Sequence, residues 1–209
     1  ENVEAYDYYL RGRQYFHQHR RKSLDYAREM FNKAIEIDPG YARAYAGVAD
    51  CYSLLYTYFD AREFNQRQAD IASSKALELA PDLAEAHLAR GVSASLSKQF
   101  DEAEMEFDKA MRLDPKLFDA VLWYARTRLS QGKYEEAVKL FERAAALRPE
   151  DYEAPKFLGM AFASLGMQAE AEAANRRAVK LGGQHLELNP DDSRALILGA
   201  AANANIRND

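Results

Sequence analysis

Cysteine is nearly absent: Cys51 stands alone in 209 residues, which excludes an intrachain disulfide. A reducing compartment such as the cytoplasm fits this best. A periplasmic location is compatible too, since exported proteins often lack disulfides. Proline (6) and glycine (10) are scarce, so little interrupts long helical stretches. No apolar run approaches the roughly 20 residues needed to span a bilayer. Basic residues are not in excess, with 28 Lys and Arg against 33 Asp and Glu and a net charge of −5. That balance argues against nucleic acid as a partner. The opening Glu1-Asn2-Val3-Glu4 has neither an initiator methionine nor a signal peptide, and reads as the edge of a piece taken from a longer protein. Motifs of catalysis are missing as well. There is no G-x-S-x-G elbow, phosphate-binding loop, G-x-G-x-x-G or H-E-x-x-H, so the expectation is a protein that is not an enzyme and carries no cofactor or metal.

What the sequence does contain is a period. Pro39, Pro81, Pro115, Pro149 and Pro190 each follow a helix-end signature, at spacings of 42, 34, 34 and 41. The two long spacings exceed 34 by 8 and 7, about two turns at 3.6 residues per turn. An insertion of that size lengthens a helix without rotating its apolar face. Ala34, Ala76, Ala110 and Ala144 lie five residues before a proline, and Ala27, Ala69, Ala103 and Ala137 lie twelve before it. Phe31, Phe107 and Phe141 lie eight before it. Ala-x3-Phe-x2-Ala places all three on one helical face, with alanines where two helices approach closely.

Each period also has an earlier helix with its own mark. Gly12, Ala49, Gly91, Ala125, Gly159 and Ala200 occupy one equivalent position among aromatic and apolar neighbours. Glycine in mid-helix costs roughly 1 kcal/mol against alanine, so close helix crossing is its expected purpose. Ser73 and Asn175 replace the large residue in the second and fifth periods. Pro155 falls in the first turn of a helix, where proline is tolerated. The stripe Ala171, Ala174, Ala178, Leu181, His185, Leu188 runs through Gly182-Gly183 and predicts one long helix with a weak point there.

This pattern resembles the tetratricopeptide repeat, W-x2-L-G-x2-Y…A-x3-F-x2-A…P. Residues 84–117 and 118–151 match it without gaps, and residues 5–41, 42–83 and 152–192 match with insertions. Residues 193–209 look like the first helix of a sixth repeat. The resemblance implies a single domain over residues 1–209. The implied fold is all-α: a right-handed superhelical solenoid of antiparallel helix pairs, five repeats plus an extra C-terminal helix. The opening Ala5-Tyr6-Asp7-Tyr8-Tyr9-Leu10-Arg11-Gly12-Arg13 also resembles repeat arrays of bacterial multidomain signalling proteins.

In proteins of this family the first helices line a concave groove. The matching positions here are Leu88, Val92, Leu122, Trp123, Arg126, Lys156, Phe157 and Met160. Most are apolar. The resemblance therefore implies a protein-interaction scaffold that binds an apolar or amphipathic peptide segment, as a regulatory module of a larger signalling protein. The alternative is a ligand- or peptide-sensing domain that changes superhelical pitch. Some members clamp a chaperone's C-terminal carboxylate with Lys, Asn and Arg. The matching positions here, Tyr9, Arg13, Gly47, Glu85 and Ala89, do not carry that set.

Other chemistry-bearing residues have plainer readings. Cys51 lies in the apolar stripe of a first helix and reads as a small buried hydrophobe. His17 and His19 stand beside Arg20-Arg21-Lys22, whose charge disfavours a divalent metal. Glu85, Asp119 and Glu153 recur at intervals of 34, near helix starts where the macrodipole favours acids. Finally, Ala195-Leu196-Ile197-Leu198-Gly199-Ala200-Ala201 is apolar on most sides. Without a polar cap, that C-terminal helix is expected to self-associate or fray.

Overall fold

The computed structural model describes residues 2–207. Eleven α-helices and no strands are found among them. The chain divides into two compact units, Glu1–Pro115 and Lys116–Asp209, with the boundary between the third and fourth repeats.

Unit 1 holds three antiparallel pairs: α1 (Val3–Phe16) with α2 (Arg21–Ile37), α3 (Ala42–Tyr58) with α4 (Glu63–Leu79), and α5 (Ala84–Leu96) with α6 (Phe100–Leu113). Unit 2 holds α7 (Phe118–Ser130) with α8 (Tyr134–Leu147), α9 (Glu153–Ser164) with α10 (Gln168–Leu188), and α11 (Ser193–Arg207) packed on α10. Second helices bury one narrow stripe, such as Ala103, Glu106, Phe107 and Ala110 on α6. First helices lie between neighbours and bury far more of their circumference, as Ala84 through Ala94 on α5 show.

The repeated contact is a phenylalanine ring against a glycine. Phe31, Phe107 and Phe141 are fully buried. A Cβ added at Gly91 would stand 2.8 Å from the Phe107 ring, and one at Gly12 2.5 Å from the Phe31 ring. Gly12 and Gly91 therefore make room for an aromatic side chain of the second helix, a more specific reason than close backbone crossing, whereas Gly159 makes room for the Asn175 amide at 2.9 Å.

The two insertions are accommodated differently. In the second repeat α3 and α4 share the extra length, each 17 residues against 13 in α5 and 14 in α6. In the fifth repeat α10 takes all of it, with 21 residues against 14 in α8. The 7 extra residues (21 − 14) carry α10 unbroken through Gly182-Gly183. Those extra turns support α11 through a cluster of Tyr152, Ala195 and Leu198, with Leu181, Leu186 and Phe157 packed against it.

Candidate functional site

The expected site residues fall in both units. Leu88 and Val92 are on α5 in unit 1; Leu122, Trp123 and Arg126 on α7 and Lys156, Phe157 and Met160 on α9 lie in unit 2. Leu88, Val92, Leu122 and Lys156 are buried, Trp123, Arg126 and Phe157 half-buried, and Met160 exposed. What remains accessible is a patch on α7 and α9.

Arg126 organises that patch. Its guanidinium lies 4.0 Å from the Trp123 ring centroid and 4.7 Å from that of Phe157, so both aromatic faces meet one cation. Phe157 in turn stacks on buried Phe141 at 5.9 Å. Tryptophan and arginine in a packed, partly dry setting are the residue types that dominate protein-binding energetics.

Beneath the patch, the start of α9 carries a buried polar cluster. Asp151 Oδ1 accepts hydrogen bonds from the backbone N–H of Glu153 and of Ala154, each at 2.9 Å, and so caps the helix. Burial, reinforced by the nearby Glu153 carboxylate, pushes Asp151 up from 3.8 to about 6. Glu153, 2% exposed, accepts from Arg194 Nη1 at 2.6 Å and lies 3.9 Å from Arg126 Nη1. Asp192 Oδ1 caps α11 by accepting from Arg194 N at 2.9 Å and Ala195 N at 3.1 Å. Its Oδ2 faces His185 Nε2 at 2.8 Å and accepts from the Tyr152 hydroxyl at 3.4 Å. Burial pushes the Tyr152 phenol well above its ordinary value and the Lys156 ammonium below its own.

The acids expected from the helix macrodipole do sit in first turns, Glu85 on α5, Asp119 on α7 and Glu153 on α9. They also do more. Arg43 lies 3.6 Å from Glu85, and Arg194 pairs with Glu153. Sequence reasoning missed these arginines although the signal was there. Arg43 precedes Glu85 by 42 and Arg194 follows Glu153 by 41, the same offsets as the flanking prolines, so all occupy one repeat position.

Elsewhere the plain reading of Cys51 stands, beside some new features. Cys51 is fully buried, and burial drives its thiol upward. Tyr9, one of the tyrosines concentrated near the N-terminus, packs on Phe31 and Tyr41 with ring centroids 5.8 and 5.4 Å apart. Among the described residues no group of three or more His, Cys, Asp or Glu could hold a metal ion, and no helix is long and apolar enough to cross a membrane. A cleft of about 550 Å³ opens in unit 1 among α2, α3 and α4, lined by Ile35, Tyr45, Val48 and Ile71 with Asp70 and Lys75.

Antiparallel helix pairs, repeated along the chain with small residues where the second helix packs on the first, define a solenoid protein of the helical-hairpin class. Models of the tetratricopeptide repeat match residues 125–192 and residues 84–117. The chain is a tetratricopeptide-repeat protein. No curated sequence matches it. Among solved structures it is similar to TTC0263, a thermophilic repeat protein of this family from Thermus thermophilus (17% identity, 96% of this chain and 99% of that one, TM-score 0.73). It is similar also to PilW, described as a widely conserved type IV pilus biogenesis factor (19% identity, 99% and 94%, TM-score 0.69). A third is YrrB, a repeat protein with an unusual peptide-binding site (20% identity, 84% and 82%, TM-score 0.54).

Proposed function

We propose that this chain is a non-catalytic interaction scaffold that binds an apolar or amphipathic peptide segment on its first helices. Trp123, Arg126, Phe157 and Met160 would make the direct contacts, with Leu122 and Lys156 beneath them and Leu88 and Val92 as the matching positions of α5. The observation that carries this reading is the accessible aromatic pair of Trp123 and Phe157 on either side of Arg126. Such side chains give large contact area at low conformational cost. The peptide-binding site of YrrB, a neighbour in fold, supports the same use of the architecture.

Within the same proposal the chain acts as a regulatory module of a larger bacterial signalling protein, in keeping with the resemblance of its opening segment to such arrays. The binding reading is tested with dodecapeptides selected from a phage-displayed random library on the immobilised protein. Trp123 is the sole tryptophan, so its fluorescence reports directly on the patch. Selected peptides should shift its emission and compete with one another. Peptides that bind without changing Trp123 emission, and equally well to Trp123→Ala, would overturn the assignment.

A further inference from the structure

Lys156 is a cation in a leucine's place. Residues 88, 122 and 156 are spaced by 34 and occupy one repeat position. The first two are Leu88, 8% exposed, and Leu122, 2% exposed. Lys156 as a residue is as deeply buried, at 3%, although its Nζ is not among the fully enclosed atoms that lack a partner. A buried ammonium is normally paired or hydrogen-bonded, because desolvating an unpaired charge is expensive. Among the described residues no carboxylate stands within ion-pair distance of Lys156, and burial alone depresses its titration. The acid one turn earlier on the same helix, Glu153, is taken up by Arg194 at 2.6 Å and approached by Arg126 at 3.9 Å.

Leucine would satisfy this position, as it does in the two preceding repeats. A residue that breaks its own repeat's rule at a cost in stability marks a functional position. We propose, resting on the peptide-binding reading above, that Lys156 is a specificity-determining residue that pairs with an Asp or Glu side chain of the bound segment. Apolar residues flanking that acid would pack on Trp123, Phe157 and Met160.

The neighbourhood suits this occupant. Phe157 and Met160 follow Lys156 by one and four positions on α9, and both reach the surface. The flexible four-carbon stem can stay packed while the ammonium swings outward, as lysine stems do at apolar boundaries. Arg126, on the same patch, already faces Glu153 at 3.9 Å, so Lys156 is the cation there with no carboxylate partner among the described residues, and an acidic segment suits it better than a basic one. Binding would then give the lysine the partner it lacks in the free protein.

The test uses the whole chain. Phage-displayed random dodecapeptides are selected in parallel on the wild type and on Lys156→Leu. The wild-type pool should be enriched in Asp or Glu at one fixed position relative to its apolar residues, and the Lys156→Leu pool should lose that enrichment. A synthetic amidated peptide from the wild-type pool should bind Lys156→Leu about 10- to 100-fold more weakly, the range for a charged hydrogen bond. Its Asp→Asn or Glu→Gln version should bind the two proteins nearly alike. Lys156→Leu should unfold at a higher temperature than the wild type, and Lys156→Met, which keeps the stem, should give the same selection result. Pools with no acidic enrichment, or with the same enrichment on all three proteins, would overturn the role of Lys156 and leave peptide binding standing. Failure to select any peptide on the wild type would remove both readings.

Discussion

Arg194 Nη1 donates to Glu153 Oε1 at 2.6 Å, joining the first turn of α11 to the first turn of α9. The carboxylate is 2% exposed, so it depends on these partners. Arg126, which carries the aromatic patch, approaches its other oxygen at 3.9 Å. One acid thus links the candidate binding surface to the last helix of unit 2.

Removing the arginine should expose that dependence. Arg194→Met keeps much of the stem and should destabilise the chain by on the order of 3 kcal/mol. That is the low end of the range for breaking a buried pair, because Arg126 still faces Glu153. Urea unfolding measures it, and hydrogen exchange should show α11 opening before α9. Adding Glu153→Gln should recover part of the loss. A single-variant change below about 0.5 kcal/mol would mean the pair does not hold α11.

The ring-on-glycine contact predicts a change of sign. Gly91→Ala gains about 1 kcal/mol of helix propensity, yet its new methyl would stand 2.8 Å from the Phe107 ring. Overpacking of this kind costs about 1–3 kcal/mol, so the variant should be neutral to destabilised by about 2 kcal/mol. In a Phe107→Ala background, itself about 3–5 kcal/mol less stable, the same change should stabilise. Thermal denaturation of the four proteins gives the coupling directly.

The helical periods, the antiparallel pairing and the alanine and glycine seams were legible in the sequence because they repeat. Even the unbroken run of α10 through Gly182-Gly183 followed from the stripe around it. What was not legible was depth. Leu88, Val92 and Leu122 occupy positions that the family resemblance assigned to a groove, and nothing in their spacing says that they are buried. The division of the helices into two units leaves no local mark either. The arginine partners of Glu85 and Glu153 were readable in register, but only once the 8- and 7-residue insertions had been placed.

Asp151 predicts a pH dependence. Its folded value is raised from 3.8 to about 6 by burial and by the charge of Glu153. A raised acid binds more protons folded than unfolded between those values, so its stabilising contribution is full below about 3.8 and disappears as pH rises through about 6. The amount is on the order of 2–3 kcal/mol. Asp151→Asn keeps a capping oxygen without the charge. Denaturant midpoints from pH 3.5 to 7.5, in steps of about 0.5 as the slope of a single site requires, should fall less steeply for Asp151→Asn than for the wild type.

Trp123 separates binding from stability. It is half-buried, with the Arg126 guanidinium 4.0 Å from its ring centroid. Trp123→Ala should lower unfolding free energy by about 1–2 kcal/mol, less than the 3–5 kcal/mol of a fully buried aromatic. Affinity for a selected peptide should fall by tenfold or more, as for a central anchor. A loss of several kcal/mol in stability with little change in affinity would place the ring in the core energetically.

The outer face of α11 sets the last expectation. Ala195, Leu198 and Ala202 are buried at 0%, 9% and 0% exposure, whereas Leu196 and Ile197 are each 51% exposed. The helix is therefore docked on one side and apolar on the other. Pairing two such faces would remove apolar surface worth about 25 cal/mol per Å² before association costs. The isolated chain should then associate through this face as concentration rises, which light scattering detects. Leu196→Glu with Ile197→Glu should abolish association without unfolding α11, since both side chains already reach water. Leu198→Glu should instead loosen the helix, because its side chain belongs to the cluster with Tyr152. A wild type that stays monomeric at every concentration while α11 resists proteolysis would show that half-exposed leucine and isoleucine do not suffice for association here.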